Sequence, residues 1–205
     1  MISLSDLRQF KTNGRKFSCL TCYDASMAKA MELAEVDSIL IGDSLGMAIQ
    51  GRDSTLPVTV EDMAYHTAAV RRGNQHAFIM TDLPFMSYAT LNDALSSSKT
   101  VMQAGAQMVK MEGGAWLSET VTVLTRNGIP VCVHLGLTPQ SVHVFGGYKL
   151  QARTREAADQ LIADCKAVVE AGAALLLLEC VPAQLGKEIS ELFPHVLVIG
   201  IGAGV

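Results

Sequence analysis

The chain has 205 residues, of which 49% are hydrophobic, 18% charged and 5% aromatic, and its formal net charge is −4. These values predict one globular domain over residues 1–205. The 16 basic and 20 acidic residues form no long runs, so we expect no nucleic-acid partner. No apolar stretch approaches the ~18 residues of a membrane span, and the N-terminus does not resemble a signal peptide. Five cysteines, an odd number, indicate reduced thiols and favour a cytoplasmic enzyme.

Seven short apolar segments alternate with helical patterns along the chain. Runs that are apolar at every position, such as Leu175 to Leu178, indicate strands covered on both faces of a sheet. The alternation predicts a parallel sheet with right-handed crossovers. In chain order, we predict strands over residues 17–23, 38–42, 77–81, 108–112, 130–134, 174–179 and 196–200.

Capping residues mark several of the helices. A first helix is expected to end at Asn13, before Gly14. Thr59 and Asp62 form an acidic variant of the capping box. Ser118 and Thr154 are the N-cap candidates for two later helices. These features predict helices over residues 61–72 and 119–126 and a long helix through residue 170.

The alternation fits either an open doubly wound sheet or a closed (β/α)₈ TIM barrel. The turn after the first strand has no glycine-rich phosphate fingerprint, which argues against the doubly wound sheet. In a barrel, the strand ends meet at one mouth, where barrel enzymes keep their chemistry. We therefore predict a barrel, because polar residues end successive strands at Asp43, Asp82, Glu112, His134 and Glu179.

A complete barrel typically needs roughly 250 residues. Only seven strands can be identified before the chain ends at Val205. We therefore expect the eighth β/α unit to be absent from this chain and the domain to be C-terminally incomplete.

Asp43, Asp82 and Glu112 each end an apolar strand, and neighbouring strands would bring the three carboxylates together. Like charges at close range repel unless a cation or a shared proton compensates them. An all-oxygen set suits a hard divalent ion, and Mg²⁺ fits best. The alternative is that each carboxylate caps the helix that follows its strand.

Lys110 lies two residues before Glu112, so both side chains occupy the same face of a strand. A lysine inside a barrel is costly without an anionic partner. It could pair with Glu112 or bind the carboxylate or phosphate of a ligand.

Glu179 directly follows four leucines. An apolar surrounding disfavours the charged carboxylate, which suits a general base. His134 also ends a strand, and it is either a hydrogen-bond donor to an oxyanion or a satisfied core histidine.

Other segments carry weaker indications. Two long connections, 44–58 and 135–153, are candidate lids or surface loops. The glycine-rich run 200–204 could bind phosphate or allow close backbone approach to a ligand. Cys19 and Cys22 match C-x-x-C, but they would point to opposite faces of a strand, which predicts a packing role.

Several strings together resemble the ketopantoate hydroxymethyltransferase family, and the resemblance covers nearly the whole chain. The matching strings are GDSLGM at 42–47, DSTLPVT at 53–59, YHTAAV at 65–70, DLPFM at 82–86, VKMEGG at 109–114, HLGLTPQS at 134–141, FGGYK at 145–149, LECVP at 178–182 and GIGAG at 200–204.

The resemblance implies a (β/α)₈ barrel of the phosphoenolpyruvate/pyruvate superfamily, forming a cytoplasmic homodecamer. It implies hydroxymethyl transfer from 5,10-methylenetetrahydrofolate to 3-methyl-2-oxobutanoate, giving 2-dehydropantoate and tetrahydrofolate in pantothenate and coenzyme A biosynthesis. The reaction is expected to pass through a Mg-stabilised enolate.

The resemblance also implies roles for individual residues. Glu179 is the expected proton acceptor, and Ser44 and Lys110 are expected to bind the 2-oxo acid. Mg²⁺ is expected at Asp43, Asp82 and Glu112, and the two aspartates are also expected to bind the substrate. His134 is expected to be an additional hydrogen-bond donor near the carbonyl group of the substrate. Val133 stands where the family usually has glycine, and it could crowd the backbone near the substrate.

Two alternatives stay open at this point. A related mutase or C–C lyase would also hold an oxo acid on Mg²⁺, although its lysine–cysteine–glycine lid motif is missing here. A non-catalytic module could bind Mg²⁺ or ligand without turnover, and Glu179→Gln would then leave ligand affinity largely intact.

Overall fold

The computed structural model describes residues 1–147 and 149–204, so Tyr148 of the FGGYK string and Val205 lie outside the described residues. The strands in this part of the chain are β1 Cys19–Thr21, β2 Ser38–Ile41, β3 Phe78–Asp82, β4 Met108–Glu112, β5 Val131–Gly136, β6 Leu175–Glu179 and β7 Leu197–Ile201. The α-helices are α1 Leu4–Thr12, α2 Ala25–Leu33, α3 Leu45–Ala48, α4 Val60–Gly73, α5 Leu91–Gln103, α6 Ser118–Arg126, α7 Val142–Phe145, α8 Arg155–Glu170 and α9 Ala183–Leu192. Within these residues, no helix is long and apolar enough to cross a membrane.

The chain divides into two compact units, which we call the first unit (Met1–Lys110) and the second unit (Met111 onwards). Strand β4 contributes residues to both. The expectation of a single domain over residues 1–205 stays a prediction.

The first unit contains strands β1 to β3 and the beginning of β4, and each strand pairs in parallel with the next. Its core includes Ile39, Met63 and Ile79, all fully buried. Helix α4 packs on α2 so closely that a Cβ on Gly73 would lie 2.2 Å from the Ala25 carbonyl oxygen. Helix α4 also contacts β2 and β3, so it covers one face of this part of the sheet.

The second unit pairs β5, β6 and β7 in parallel, with Gly136 beside Glu179 and Glu179 beside Ile201 in register. Leu175 to Leu178 are all buried, as their uninterrupted apolar run predicts. Helices α6 and α8 pack with each other and with β5, and α9 packs against β7. Val133 is fully buried and next to His134 in the strand, so its side chain points to the opposite face and does not crowd the histidine.

Two of the predicted helix starts are confirmed in detail. The Thr59 side chain accepts a hydrogen bond from the Asp62 N–H, and the Asp62 carboxylate accepts one from the Thr59 N–H. Thr154 caps α8 by accepting from the Ala157 N–H. These caps depend on residues three positions apart, so sequence spacing alone can identify them.

Two local predictions are wrong. Ser118 is the first residue of α6 rather than its cap, because a 3₁₀ turn at Ala115–Leu117 runs directly into the helix. Its hydroxyl donates to the Ala115 carbonyl. Strand β1 is shorter than residues 17–23, since the Ser18 N–H donates to the Asp37 carboxylate instead of to a neighbouring strand.

Candidate active site

Asp43 and Asp82 lie at the carboxyl ends of neighbouring strands in the first unit. Asp43 is 3% exposed and Asp82 is 2% exposed. The Asp43 N–H donates to Asp82 Oδ2 over 3.1 Å, so the backbone after β2 holds the carboxylate that ends β3. The structure thus brings together two of the three residues predicted to bind a metal.

Lys110 forms a buried ion pair with Asp82. The two residues are partners in the β3–β4 register, and Lys110 Nζ lies 2.5 Å from Asp82 Oδ1. The sequence predicted an anionic partner for this lysine, but it suggested Glu112 or a ligand and did not suggest Asp82. A buried pair of this kind is costly to break, because removing one partner leaves the other charge uncompensated.

Ser44 is positioned by two residues that the sequence did not identify. The Tyr23 hydroxyl lies 2.8 Å from Ser44 Oγ, and His66 Nδ1 lies 2.7 Å from the Tyr23 carbonyl oxygen. A Cβ on Gly42 would lie only 2.8 Å from Ser44 Oγ, so glycine is needed for this serine conformation. Tyr23 is the last residue of the predicted first strand, and this position was the available indication.

In the second unit, His134 lies between two carboxylates. Its Nδ1 is 3.3 Å from Glu112 Oε1, and its Nε2 is 3.3 Å from Glu179 Oε2. The Gln140 N–H also donates to Glu112 Oε2 over 2.9 Å. The histidine is buried, while the Glu179 side chain is 18% exposed. We call Glu112, His134 and Glu179 the carboxylate–histidine cluster.

The alternative in which the carboxylates cap helices is wrong. Thr90 caps α5, the helix after Asp82. The short α3 after Asp43 has no side-chain cap, and neither does the 3₁₀ turn nor α6 after Glu112. Because the carboxylates do not serve the following helices, their burial indicates another role.

The chemistry of these side chains fits magnesium. Asp43, Asp82 and Glu112 are buried carboxylates that offer only oxygen, the donor that Mg²⁺ prefers. No three His, Cys, Asp or Glu side chains among the described residues are arranged as a metal-binding group by themselves. Mg²⁺ usually binds one or two carboxylates and takes its other ligands from water and substrate, so a three-residue cage is not required.

The glycine-rich run 200–204, which begins within β7, packs closely against α9. A Cβ on Gly204 would lie 2.8 Å from Ala183 Cβ, at the start of α9. A Cβ on Gly186, within α9, would lie 2.9 Å from the Ala203 carbonyl oxygen. The run therefore permits close approach to α9.

Cys19 and Cys22 are free thiols. Burial raises the pKa of Cys19 to about 11, although the Ser38 hydrogen bond and the Lys110 charge act to lower it. A thiol that stays protonated at neutral pH is unreactive. This agrees with the predicted packing role of the C-x-x-C segment.

A family model described as ketopantoate hydroxymethyltransferase matches residues 1–205. The chain belongs to this family. A protein of Acinetobacter baumannii (strain AYE) named 3-methyl-2-oxobutanoate hydroxymethyltransferase is 90% identical over 204 residues, covering 100% of this chain and 76% of the relative. The predicted family and the transferase class are confirmed.

Solved structures confirm the fold class. A 2,3-dimethylmalate lyase described as a PEP mutase/isocitrate lyase superfamily member matches with a TM-score of 0.69 at 13% identity, covering 98% of this chain and 81% of its own. A phosphonopyruvate hydrolase in complex with oxalate and Mg²⁺ matches with a TM-score of 0.68 at 15% identity, covering 98% and 81%. At these identities, the matches establish the barrel fold alone, with seven of its strands in the described residues.

Proposed function

We propose that the chain transfers a hydroxymethyl group from 5,10-methylenetetrahydrofolate to 3-methyl-2-oxobutanoate, giving 2-dehydropantoate and tetrahydrofolate. The 90% identity to a relative named for this acceptor supports the substrate. The geometric observation that carries the proposal is the pairing of His134 Nε2 with Glu179 Oε2 at 3.3 Å. The carboxylate lies beside a buried imidazole, and its side chain is 18% exposed, which leaves it accessible to a small substrate.

Asp43, Asp82 and Glu112 are the proposed ligands of Mg²⁺. When bound, the ion would polarise the 2-oxo group as a Lewis acid and thereby acidify the C3–H bond. The burial of all three carboxylates supports this assignment, because buried negative charges need a cation or a proton nearby.

Ser44 and Lys110 are proposed to hold the carboxylate of the 2-oxo acid. An ammonium group has three N–H donors, so the bond from Lys110 to Asp82 is compatible with a further bond to substrate. A substrate fixed at its carboxylate presents C3 to the base in one orientation. Asp43 and Asp82 are proposed to lie beside the bound 2-oxo acid as further substrate-binding residues.

Glu179 is the proposed proton acceptor at C3. His134 would orient Glu179 through Nε2, and its expected role as a donor to the substrate oxygen stays a prediction. The carbanion equivalent at C3 would then attack the one-carbon unit of the folate to form the new C–C bond. One water molecule would supply the hydroxyl oxygen as the C–N bond breaks and tetrahydrofolate leaves with the proton.

The pathway, the location and the oligomeric state are proposed from the family resemblance. We place the chain at the first committed step of pantothenate and coenzyme A synthesis, as a cytoplasmic homodecamer, which are family properties carried over by the resemblance.

The test is exchange of the C3 proton of 3-methyl-2-oxobutanoate for deuterium, followed by NMR with and without Mg²⁺ and in the absence of folate. We expect Mg²⁺-dependent exchange in the wild-type chain and a loss of at least about a hundredfold in Glu179→Gln, since a general base contributes this much or more. The matched control is Glu170→Gln, whose side chain is 67% exposed on α8. Retention of substrate binding by Glu179→Gln without any wild-type exchange would support a binding module and reject the proposed enzyme.

A further inference from the structure

A cleft of about 390 Å³ opens in the second unit, next to the carboxylate–histidine cluster. Its lining comes from the segment that follows β4, from the end of β5 and the segment after it, and from the N-terminal part of α8 with the residues just before it. It includes Gly113, Trp116, Gly136, Gln160 and Asp164. This volume lies within the range of small-molecule sites, roughly 300–1,000 Å³. None of these residues has a role in the proposed function described above.

Two glycines give the cleft its shape. A Cβ on Gly113 would lie 2.6 Å from the indole ring of Trp116, and a Cβ on Gly114 would lie 2.7 Å from the carboxyl carbon of Asp164. The tryptophan therefore lies against bare backbone and is 65% exposed. An exposed indole on a wall of the cleft offers a stacking surface for a planar ring.

Asp164 supplies a carboxylate that is already oriented. Its Oδ1 accepts hydrogen bonds from the Ala115 N–H over 3.0 Å and from Gln160 Nε2 over 3.2 Å. Among the residues that the structure describes, both hydrogen bonds of this carboxylate end on Oδ1, which leaves Oδ2 to accept from a ligand. A fixed carboxylate beside an aromatic wall is suited to a flat heterocycle with adjacent N–H donors.

The cleft is adjacent to the reacting groups of the same unit. Gly113 directly follows Glu112, and its N–H donates to the His134 carbonyl over 3.1 Å. Gly136 lies so close to Glu179 that a Cβ on it would be 2.4 Å from the Glu179 carbonyl oxygen. A ligand bound in the cleft would thus border the strand ends that carry the proposed base.

We propose that this cleft binds the reduced pterin ring of the one-carbon donor, with the ring against Trp116 and its amino-pyrimidine N–H groups on Asp164. The inference rests on the proposed function, since that reaction requires a folate co-substrate. The 2-amino-4-oxopyrimidine edge of a pterin has neighbouring N–H donors that match a carboxylate, and its bicyclic ring matches an indole face.

The decisive variant is Asp164→Asn. Asparagine can still accept from the Ala115 N–H, but it loses the charge and adds an N–H₂ group facing the pterin donors. We expect the KM for 5,10-methylenetetrahydrofolate to rise at least about tenfold, because charge-assisted hydrogen bonds contribute more than neutral ones. The loss should be confined to the folate-dependent reaction, since C3 exchange of the oxo acid uses no folate. The matched control is Asp159→Asn, a carboxylate on the same helix that is 53% exposed and pairs with Arg155.

A direct binding measurement is available because Trp116 is the only tryptophan in the sequence. We expect tetrahydrofolate to quench its fluorescence saturably, with a dissociation constant about tenfold weaker in Asp164→Asn and unchanged in Asp159→Asn. N-acetyltryptophanamide would correct for absorption by the folate.

The outcomes distinguish a failure of the pterin assignment from a failure of the proposed function. If the wild-type chain shows neither C3 exchange nor transfer, the proposed function fails, and the pterin assignment fails with it. If exchange and transfer proceed but Asp164→Asn retains wild-type folate KM and quenching, the cleft assignment alone is overturned. A parallel fall of exchange and transfer in Asp164→Asn would also reject it, because Asp164 would then act on the oxo-acid site or on folding.

Discussion

Two groups of polar residues are held in different ways: the first group is Asp43, Asp82 and Lys110 in the first unit, and the second group is the carboxylate–histidine cluster. In the first unit, Asp82 has both carboxylate oxygens engaged, by Lys110 at 2.5 Å and by the Asp43 N–H at 3.1 Å, and all three residues are buried. In the second unit, His134 is 3.3 Å from each of two carboxylates, and Glu179 remains partly exposed. The first arrangement is a fixed, charge-compensated platform suited to binding. The second leaves the carboxylate of the proposed base, Glu179, partly exposed.

The largest expected effect comes from removing the charge that compensates Asp82. We expect Lys110→Ala to lower the free energy of unfolding by about 3–5 kcal/mol, because the buried carboxylate would lose its partner. Urea unfolding would measure this, and Lys166→Ala on the exposed face of α8 is the control, expected to change stability by less than about 0.5 kcal/mol. A loss below about 1 kcal/mol for Lys110→Ala would show that the first group is not held by this ion pair.

Substitutions in the second group should change the rate of C3 exchange more than the free energy of unfolding. We expect His134→Gln to slow C3 exchange about tenfold to a hundredfold, because Glu179 would lose the group that orients it and small misplacements of a catalytic group are costly. NMR exchange rates at saturating oxo acid would measure this, with the exposed His195→Gln as control. Unchanged exchange would mean that Glu179 is positioned without the histidine.

A smaller effect is expected at Tyr23, which contacts Ser44 in the first unit. For Ser44 to donate to a substrate carboxylate, the Tyr23 hydroxyl must donate to Ser44 Oγ. Tyr23→Phe should therefore raise the KM for the oxo acid about three- to tenfold with kcat nearly unchanged, which corresponds to one neutral hydrogen bond.

The control for Tyr23→Phe is Tyr65→Phe, at a tyrosine that is 69% exposed. In a Ser44→Ala background, the Tyr23 substitution should have no further effect, since both residues act on one contact. Additive effects would contradict this relation.

The smallest effect lies outside both groups, at the capping box of α4. Burial acts to raise the pKa of Asp62, but hydrogen bonds from Thr59 and Gln50 and the Arg52 charge outweigh it and hold the pKa below its ordinary value of 3.8. A carboxyl group with a lowered pKa in the folded state stabilises the fold above its unfolded pKa, and this contribution is lost as the pH falls through the folded value.

The corresponding measurement is the difference in Tm between the wild-type chain and Asp62→Asn. We expect a small, constant difference from pH 5 to 7 that closes as the pH falls below about 4. A difference that persists at pH 2 would show that the carboxylate charge is not its source. Because Asp62 lies in the first turn of α4 and belongs to neither group, oxo-acid exchange at neutral pH should stay unchanged.

The sequence predicted those features that depend on neighbours along the chain. The Thr59–Asp62 capping box, the buried leucine run of β6 and the polar strand ends all follow from residue spacing. The fold class followed from strand–helix alternation, and the family followed from the strings around Asp43, Glu112 and Glu179. The missed features join residues far apart in the chain, such as Tyr23 with Ser44 and Asp82 with Lys110.

The sequence by itself determined where polar side chains lie at or near the strand ends, because burial on both faces requires apolar runs. Asp82, Glu112 and Glu179 end β3, β4 and β6, whereas β2 ends before Asp43 and β5 continues past His134 to Gly136. Tertiary structure decided which of these polar residues pair. Lys110 contacts Asp82 because parallel register places them side by side, and His134 lies between Glu112 and Glu179 because β5 and β6 end together. Pairing depends on strand register and packing, which sum over many distant contacts, and no local pattern of residues encodes it.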